Sequence, residues 1–243
     1  AYSLLGNAKG AIENYTKAME LAPELAYQFY TKRGQVRFDQ KDTQEAIKDF
    51  TEAIRLNPNY VEAYLRRGTA YAQLKDSLKA IEDLDQAVRL QSDNSWVYVW
   101  RGDVYFILKE KEKAIKDYDT AIKLTPQLAY LYYNLRGDRR YEREDYDGAI
   151  ADYDEAISLK PDDANAFFDR GDAYDELKKY PEAIADYNEA IRLKPDYAQA
   201  YHYRGITRYN QKDYAGASAD FTEAIRIQPD YADAYLFRGN ARR

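Results

Sequence analysis

The residues able to do chemistry in this chain are few in kind. It has one histidine, His202, and no cysteine, against 42 aspartates and glutamates and 26 tyrosines in 243 residues. Without cysteine there are no disulfides, thiol nucleophiles or thiolate metal sites. One imidazole excludes a metal centre built on histidines. A Ser/His/Asp site would rest on His202 alone, so an enzyme within these residues is disfavoured. No cofactor is implied. Carboxylates and aromatic rings in quantity suit another chemistry, the holding of cations: a carboxylate pairs with lysine or arginine, and an aromatic face attracts the same groups.

The bulk properties narrow the partners further. A net charge of −6 and a pI near 5.1 argue against a nucleic-acid backbone. No run of 18 apolar residues occurs, so no membrane insertion is expected. The opening stretch, AYSLLGNAKG, is too short and polar for a signal peptide. The missing cysteine does not separate cytoplasm from periplasm; the cytoplasm is favoured and the periplasm stays open.

The elements that position these groups follow from a repeat. Arg-Gly pairs stand at Arg33-Gly34, Arg67-Gly68, Arg101-Gly102, Arg136-Gly137, Arg170-Gly171, Arg204-Gly205 and Arg238-Gly239, spaced 34, 34, 35, 34, 34 and 34 residues apart. An aromatic precedes each glycine by four. Alanines follow at 12 and 19 residues, as in Ala46 and Ala53, with a large apolar residue such as Phe50 between them. Spacings of four and three place Ala46, Phe50 and Ala53 on one helical face. Proline closes each unit except at Ser92, and proline separates helices. Aspartate follows each first alanine by three (Asp49, Asp83, Asp117, Asp152, Asp186, Asp220), and Asn14 holds that place in the first unit. With the arginines this suggests a ladder of Arg–Asp pairs between helices, within a repeat or between neighbours.

This layout resembles the tetratricopeptide repeat, in its Arg-Gly subtype, over the whole chain. The resemblance implies an all-α fold, a right-handed superhelical solenoid of antiparallel helix hairpins, each a helix A followed by a helix B. The units expected are a half helix A plus helix B at 1–23, hairpins at 24–58, 59–92, 93–126, 127–161, 162–195 and 196–229, and a lone helix A at 230–243. Two units carry one extra residue between proline and glycine, which should distort the start of helix A near 24–28 and 127–131.

The resemblance also implies that helices A line a concave groove, with ligand-facing positions at −6, −3, +1, +4 and +5 from each glycine. The candidate partner-binding residues are Trp96, Val99, Asp103, Phe106, Asn134, Asp138, Tyr141, Phe168, Asp172, Asp175, His202 and Tyr209. His202, taken alone, reads as a surface residue. Arg140 and Arg208 stand where other repeats have Tyr105 or Tyr174, which should turn Tyr141 and Tyr209 toward the groove. The −3 positions carry no lysine, so the family's clamp for a C-terminal carboxylate is absent. An acidic and aromatic groove suits a Lys- or Arg-bearing protein segment. Two other readings remain: head-to-tail self-association through uncapped terminal helices, and a non-catalytic accessory region of a larger enzyme.

Overall fold

The computed structural model describes residues 8–243, and these form two compact units, one ending at Thr125 and one spanning Pro126–Arg243. The half helix A expected at the start of the chain falls on residues 1–7, outside the described residues. The first unit comprises α1 (Ala8–Leu21), α2 (Ala26–Asp39), α3 (Thr43–Leu56), α4 (Val61–Gln73), α5 (Ser77–Leu90), α6 (Ser95–Ile107) and α7 (Lys111–Leu124). The second comprises α8 (Ala129–Tyr141), α9 (Tyr146–Leu159), α10 (Ala164–Glu176), α11 (Tyr180–Leu193), α12 (Ala198–Asn210), α13 (Tyr214–Ile227) and α14 (Ala232–Ala241). No strand occurs among the described residues.

Each hairpin forms where a small-residue face meets a large side chain. In α2–α3, Ala46, Phe50 and Ala53 are fully buried, and the same holds for Ala149, Tyr153 and Ala156 in α8–α9. Glycine on helix A lets the ring of helix B approach. A Cβ placed on Gly137 would lie 2.6 Å from Tyr153 Cε1, closer than side chains come. Gly239 in α14 meets nothing within 4 Å, and Tyr235 and Leu236 beside it are exposed.

The turn from helix A to helix B is the same each time. Lys41, Lys75, Lys109, Glu144, Lys178 and Lys212 all adopt positive φ, between 58° and 67°. At the first turn the Lys41 N–H donates to Phe38 O and the Asp42 N–H to Arg37 O, both at 2.9 Å. These two bonds satisfy carbonyls that the end of α2 would otherwise leave open. The two extra residues appear as short 3-10 turns, Pro23–Leu25 before α2 and Pro126–Leu128 before α8, where the sequence places the distortion.

The Arg–Asp ladder is present, and each aspartate serves its own hairpin. Arg33 Nε and Nη2 donate to Asp49 at 3.0 and 2.7 Å, and Arg67, Arg101, Arg136, Arg170 and Arg204 repeat the two-pronged grip on Asp83, Asp117, Asp152, Asp186 and Asp220. The third nitrogen reaches back to the preceding helix B. Nη1 of Arg33 and Arg67 donates to Thr16 and Thr51, that of Arg101 and Arg170 to Asp85 and Asp154, and that of Arg204 to Asn188. One side chain thus binds three helices.

A second guanidinium joins three of the rungs. Arg37, Arg140 and Arg208 place Nη1 2.9, 2.8 and 2.8 Å from Asp49, Asp152 and Asp220. Where this position holds tyrosine, as at Tyr105 and Tyr174, the ring lies under the ladder guanidinium instead, 5.8 and 5.9 Å from the carbon of Arg101 and Arg170.

Candidate partner-binding site

The +1 aspartates have a structural partner that their spacing already implies. Asp103, Asp138 and Asp172 accept from the buried phenols of Tyr118, Tyr153 and Tyr187, fifteen residues on, at 2.7, 2.9 and 2.6 Å. In the other hairpins the aromatic position holds Phe50, Leu84 or Phe221, which have no hydroxyl, and the +1 position holds Gln35, Thr69 or Ile206. A buried phenol needs an acceptor, so aspartate at +1 accompanies tyrosine on helix B.

Several expected groove residues are core. Val99 and Phe106 are buried within α6, and Phe106 packs on Tyr118 with ring centres 6.2 Å apart. Phe168 is buried against Tyr187, Tyr197 and Tyr203. His202 corrects the surface reading: it is only 4% exposed. In the −3 register Thr31, Leu65, Val99, Phe168 and His202 are therefore buried, whereas Leu236 in α14 is exposed. Asn134 belongs to the same register, and its Oδ1 is buried without a partner. Trp96, by contrast, is 46% exposed at the start of α6.

The structure gathers Asp138, Tyr141 and Asp172 from the sequence candidates around one cavity in the second unit. Its volume is about 250 Å³, and Arg139, Glu142, Tyr153 and Asp169 complete the lining. Tyr141 sits edge-on to Tyr146 at 5.3 Å, which steadies it at the rim. Tyr209 makes the equivalent contact with Tyr214 at 5.2 Å, and Asp175 accepts from Thr207 Oγ1 at 2.6 Å. Trp96, Val99, Asp103 and Phe106 belong to the other unit.

Asp169, two residues before Gly171, was missed by the sequence reading. Its signal was the run Asp169-Arg170-Gly171-Asp172, with carboxylates on both sides of the ladder arginine. Burial, then the charges of Asp138 and Asp172, push the Asp169 carboxyl up to about 8. Burial also raises Asp172 to about 7, although the hydrogen bond from Tyr187 pulls the other way. Arg139 is the lining cation, and its Nη1 already donates to Glu142 at 3.0 Å. The cavity is thus lined by four carboxyl groups, those of Asp138, Glu142, Asp169 and Asp172, and by one guanidinium.

A larger cavity of about 390 Å³ lies in the first unit, lined by Tyr64, Arg67, Tyr71, Lys79, Glu82, Asp83, Gln86 and Arg89. It opens onto the ladder pair itself, and its charges are of both signs. Among the described residues no cluster of His, Cys, Asp and Glu is arranged to hold a metal ion, and no helix is long and apolar enough to cross a membrane.

Comparison with known proteins agrees with this geometry. The family model described as TPR repeat matches residues 34–75, 102–135, 137–178 and 171–212; two further tetratricopeptide repeat models match 1–25, 61–94 and 198–231. The comparison with curated proteins found no match. Among solved structures, a tetratricopeptide repeat protein from Parabacteroides merdae is 22% identical with a TM-score of 0.63, covering 98% of this chain and 93% of its own. YrrB, described as a TPR protein with an unusual peptide-binding site, is 22% identical with a TM-score of 0.54, covering 77% of this chain and 96% of its own. The Cut9–Hcn1 structure, an APC/C hetero-tetramer, contains a chain 20% identical with a TM-score of 0.59; the match covers 97% of the present chain but only 46% of that one. The repeat register, the helix hairpins and the family models agree, and the chain belongs to the tetratricopeptide repeat family.

Proposed function

We propose that this protein is an interaction scaffold that anchors a Lys- or Arg-bearing segment of a partner protein on the helix A face of its second unit. The family generally mediates protein–protein interaction. The observation that carries the finer reading is the cavity around Asp138, Asp169 and Asp172, whose carboxyl groups exceed the cations available in the lining. One cationic side chain would enter between these carboxylates, and flanking residues of the partner would lie along α8, α10 and α12. Loss of a proton from Asp169 or Asp172 would accompany binding, because both groups are held partly protonated near neutral pH.

Labelled peptides that are basic, neutral or acidic test this, titrated at two salt concentrations against the wild type and an Asp138→Asn, Asp169→Asn, Asp172→Asn variant. Asparagine can still accept from Tyr153 and Tyr187, so the fold is kept. Basic peptides should bind, more weakly at high salt, and the variant should lose them. Undiminished binding by the variant, or no preference for basic peptides, overturns the assignment.

A further inference from the structure

The single imidazole of the chain is sealed in a cage of rings. The centroid of the His202 ring lies 4.6 Å from that of Tyr231, 5.5 Å from Phe221, 5.6 Å from Tyr203 and 5.7 Å from Phe237. Tyr231 is the N-cap residue immediately before α14, and Phe237 lies on α14 and also packs on Phe221 of α13 at 5.8 Å. The ring of His202 is therefore the wedge on which α14 sits against α12 and α13. Its Nδ1 is buried and has no hydrogen-bond partner. A neutral ring can leave that nitrogen as a bare lone pair at modest cost. A charged ring carries N–H on both nitrogens, and here one of them would point into carbon.

The groups around the ring give the charge little help. From α14 comes the Asp233 carboxylate, which favours the charged ring through space, and from its N-cap the Tyr231 phenol. From α13 comes Phe221, which is uncharged, and from α12 itself Tyr203. Asp172 on α10 acts on Tyr203 and Tyr231, and burial keeps both phenols protonated. Burial outweighs Asp233, so His202 takes up its proton below the ordinary imidazole range.

We propose that His202 is a proton-sensitive latch: the neutral ring seats α14 on α12 and α13, and uptake of one proton unseats it. The direction follows from the preference of the packed state for the neutral ring. At a pH above the unfolded value of about 6.5 the seat is fully formed, and it weakens as pH falls below that value. The latch is separate from the peptide cavity and does not depend on the partner proposed for it.

Because the chain has one histidine, its imidazole proton resonance is unambiguous in a pH titration of the intact protein. The same samples give amide exchange protection for α14 at about pH 7.5 and about pH 5. The imidazole midpoint should fall below 6.5, and α14 protection should drop about tenfold for each unit by which that midpoint is lowered. His202→Phe, which keeps a ring but takes no proton, should hold α14 at both pH values. An imidazole midpoint at or above 6.5, α14 protection unchanged after the ring is charged, or equal loss in the Phe variant overturns the latch. Should the Phe variant fail to fold, the wild type alone decides: α14 protection must fall between about pH 6.5 and the imidazole midpoint and level off below it, and protection that stays flat across that window refutes the latch.

Discussion

Replacing Asp152 with asparagine should be far more damaging than the same change at Asp83, although the two residues occupy the same place in their repeats. Asp152 faces two guanidiniums, Arg136 and Arg140, whose side chains are only 9% and 14% exposed, while its own is 2% exposed. Arg140 Nε is buried without a hydrogen bond and lies 3.9 Å from Asp145, so the 2.8 Å contact with Asp152 is its close ion pair. Removing one member of a buried ion pair costs about 3–5 kcal/mol, because the remaining charge is left uncompensated. Here two guanidiniums share the carboxylate that would be lost. Asp83 faces only Arg67, which is 18% exposed and also donates to Thr51. Burial of Asp83 outweighs what Arg67 returns to it, since the carboxyl is raised rather than lowered. Arg67 for its part is held charged by Asp83. The two partners point in opposite directions, and the deeper carboxylate sets the limit. Asp83→Asn should therefore cost about 1–3 kcal/mol. A domain of this size has a total stability of about 5–15 kcal/mol, so Asp152→Asn should remove a large share of it. Urea unfolding followed by circular dichroism, with amide exchange to locate the loss in α8–α9, measures the difference. Adding Arg140→Tyr, which recreates the arrangement of Arg101 with Tyr105, should recover part of the loss. Equal costs at the two positions, or no recovery with Arg140→Tyr, would refute the reasoning that a shared carboxylate carries the second arginine.

Two further outcomes follow from the same structure. Gly137→Ala should destabilise the second unit by about 2 kcal/mol or more through overpacking against Tyr153, whereas Gly239→Ala, in open space, should stabilise α14 by up to about 1 kcal/mol through helix propensity; thermal melts of the two variants should move in opposite directions. Asp169 and Asp172 take up protons at about 8 and about 7 when folded, against about 4 when unfolded. The folded state then holds more protons across that window, so the second unit should lose stability as pH rises from about 7 to about 8.5, a range in which His202 is neutral in both states. Urea midpoints at the two pH values should show the decline, and Asp169→Asn with Asp172→Asn should flatten it.

Much of the fold could be read from the residues because the features that set it are local. The glycine period, the alanine face and the proline stops each act within one hairpin, and the extra residue before Ala26 and Ala129 could only lengthen the turn. The Arg–Asp ladder was legible as a pattern, but its pairing within each hairpin was not, since helix crossing decides which carboxylate is in reach. The second guanidinium on Asp49, Asp152 and Asp220 escaped notice although arginine stands three residues after glycine in each case. The candidate site was harder. Whether a helix A residue faces solvent depends on how closely the next helix A packs beside it, and no single-helix pattern carries that spacing. Phe106 is covered by Tyr118 and His202 by Phe221, Tyr231 and Phe237, all from other segments of the chain. Asp169 became a site residue only because α8 brings Asp138 beside it.

The backward reach of the ladder arginines gives the array a graded set of seams. Each Nη1 crosses from one hairpin to the helix B before it, but its acceptor changes from a hydroxyl at Thr16 and Thr51 to a carboxylate at Asp85 and Asp154 and an amide at Asn188. Charged acceptors make the stronger bonds. Under mechanical tension the chain would not give way evenly. Within each unit, peeling would pause where Arg101 grips Asp85 and where Arg170 grips Asp154, and added salt would shorten those pauses more than the ones at threonine. These seams behave as a zip fastener with teeth of unequal strength, and the order of opening within a unit is written in the residue sixteen or seventeen places before Arg33, Arg67, Arg101, Arg170 and Arg204.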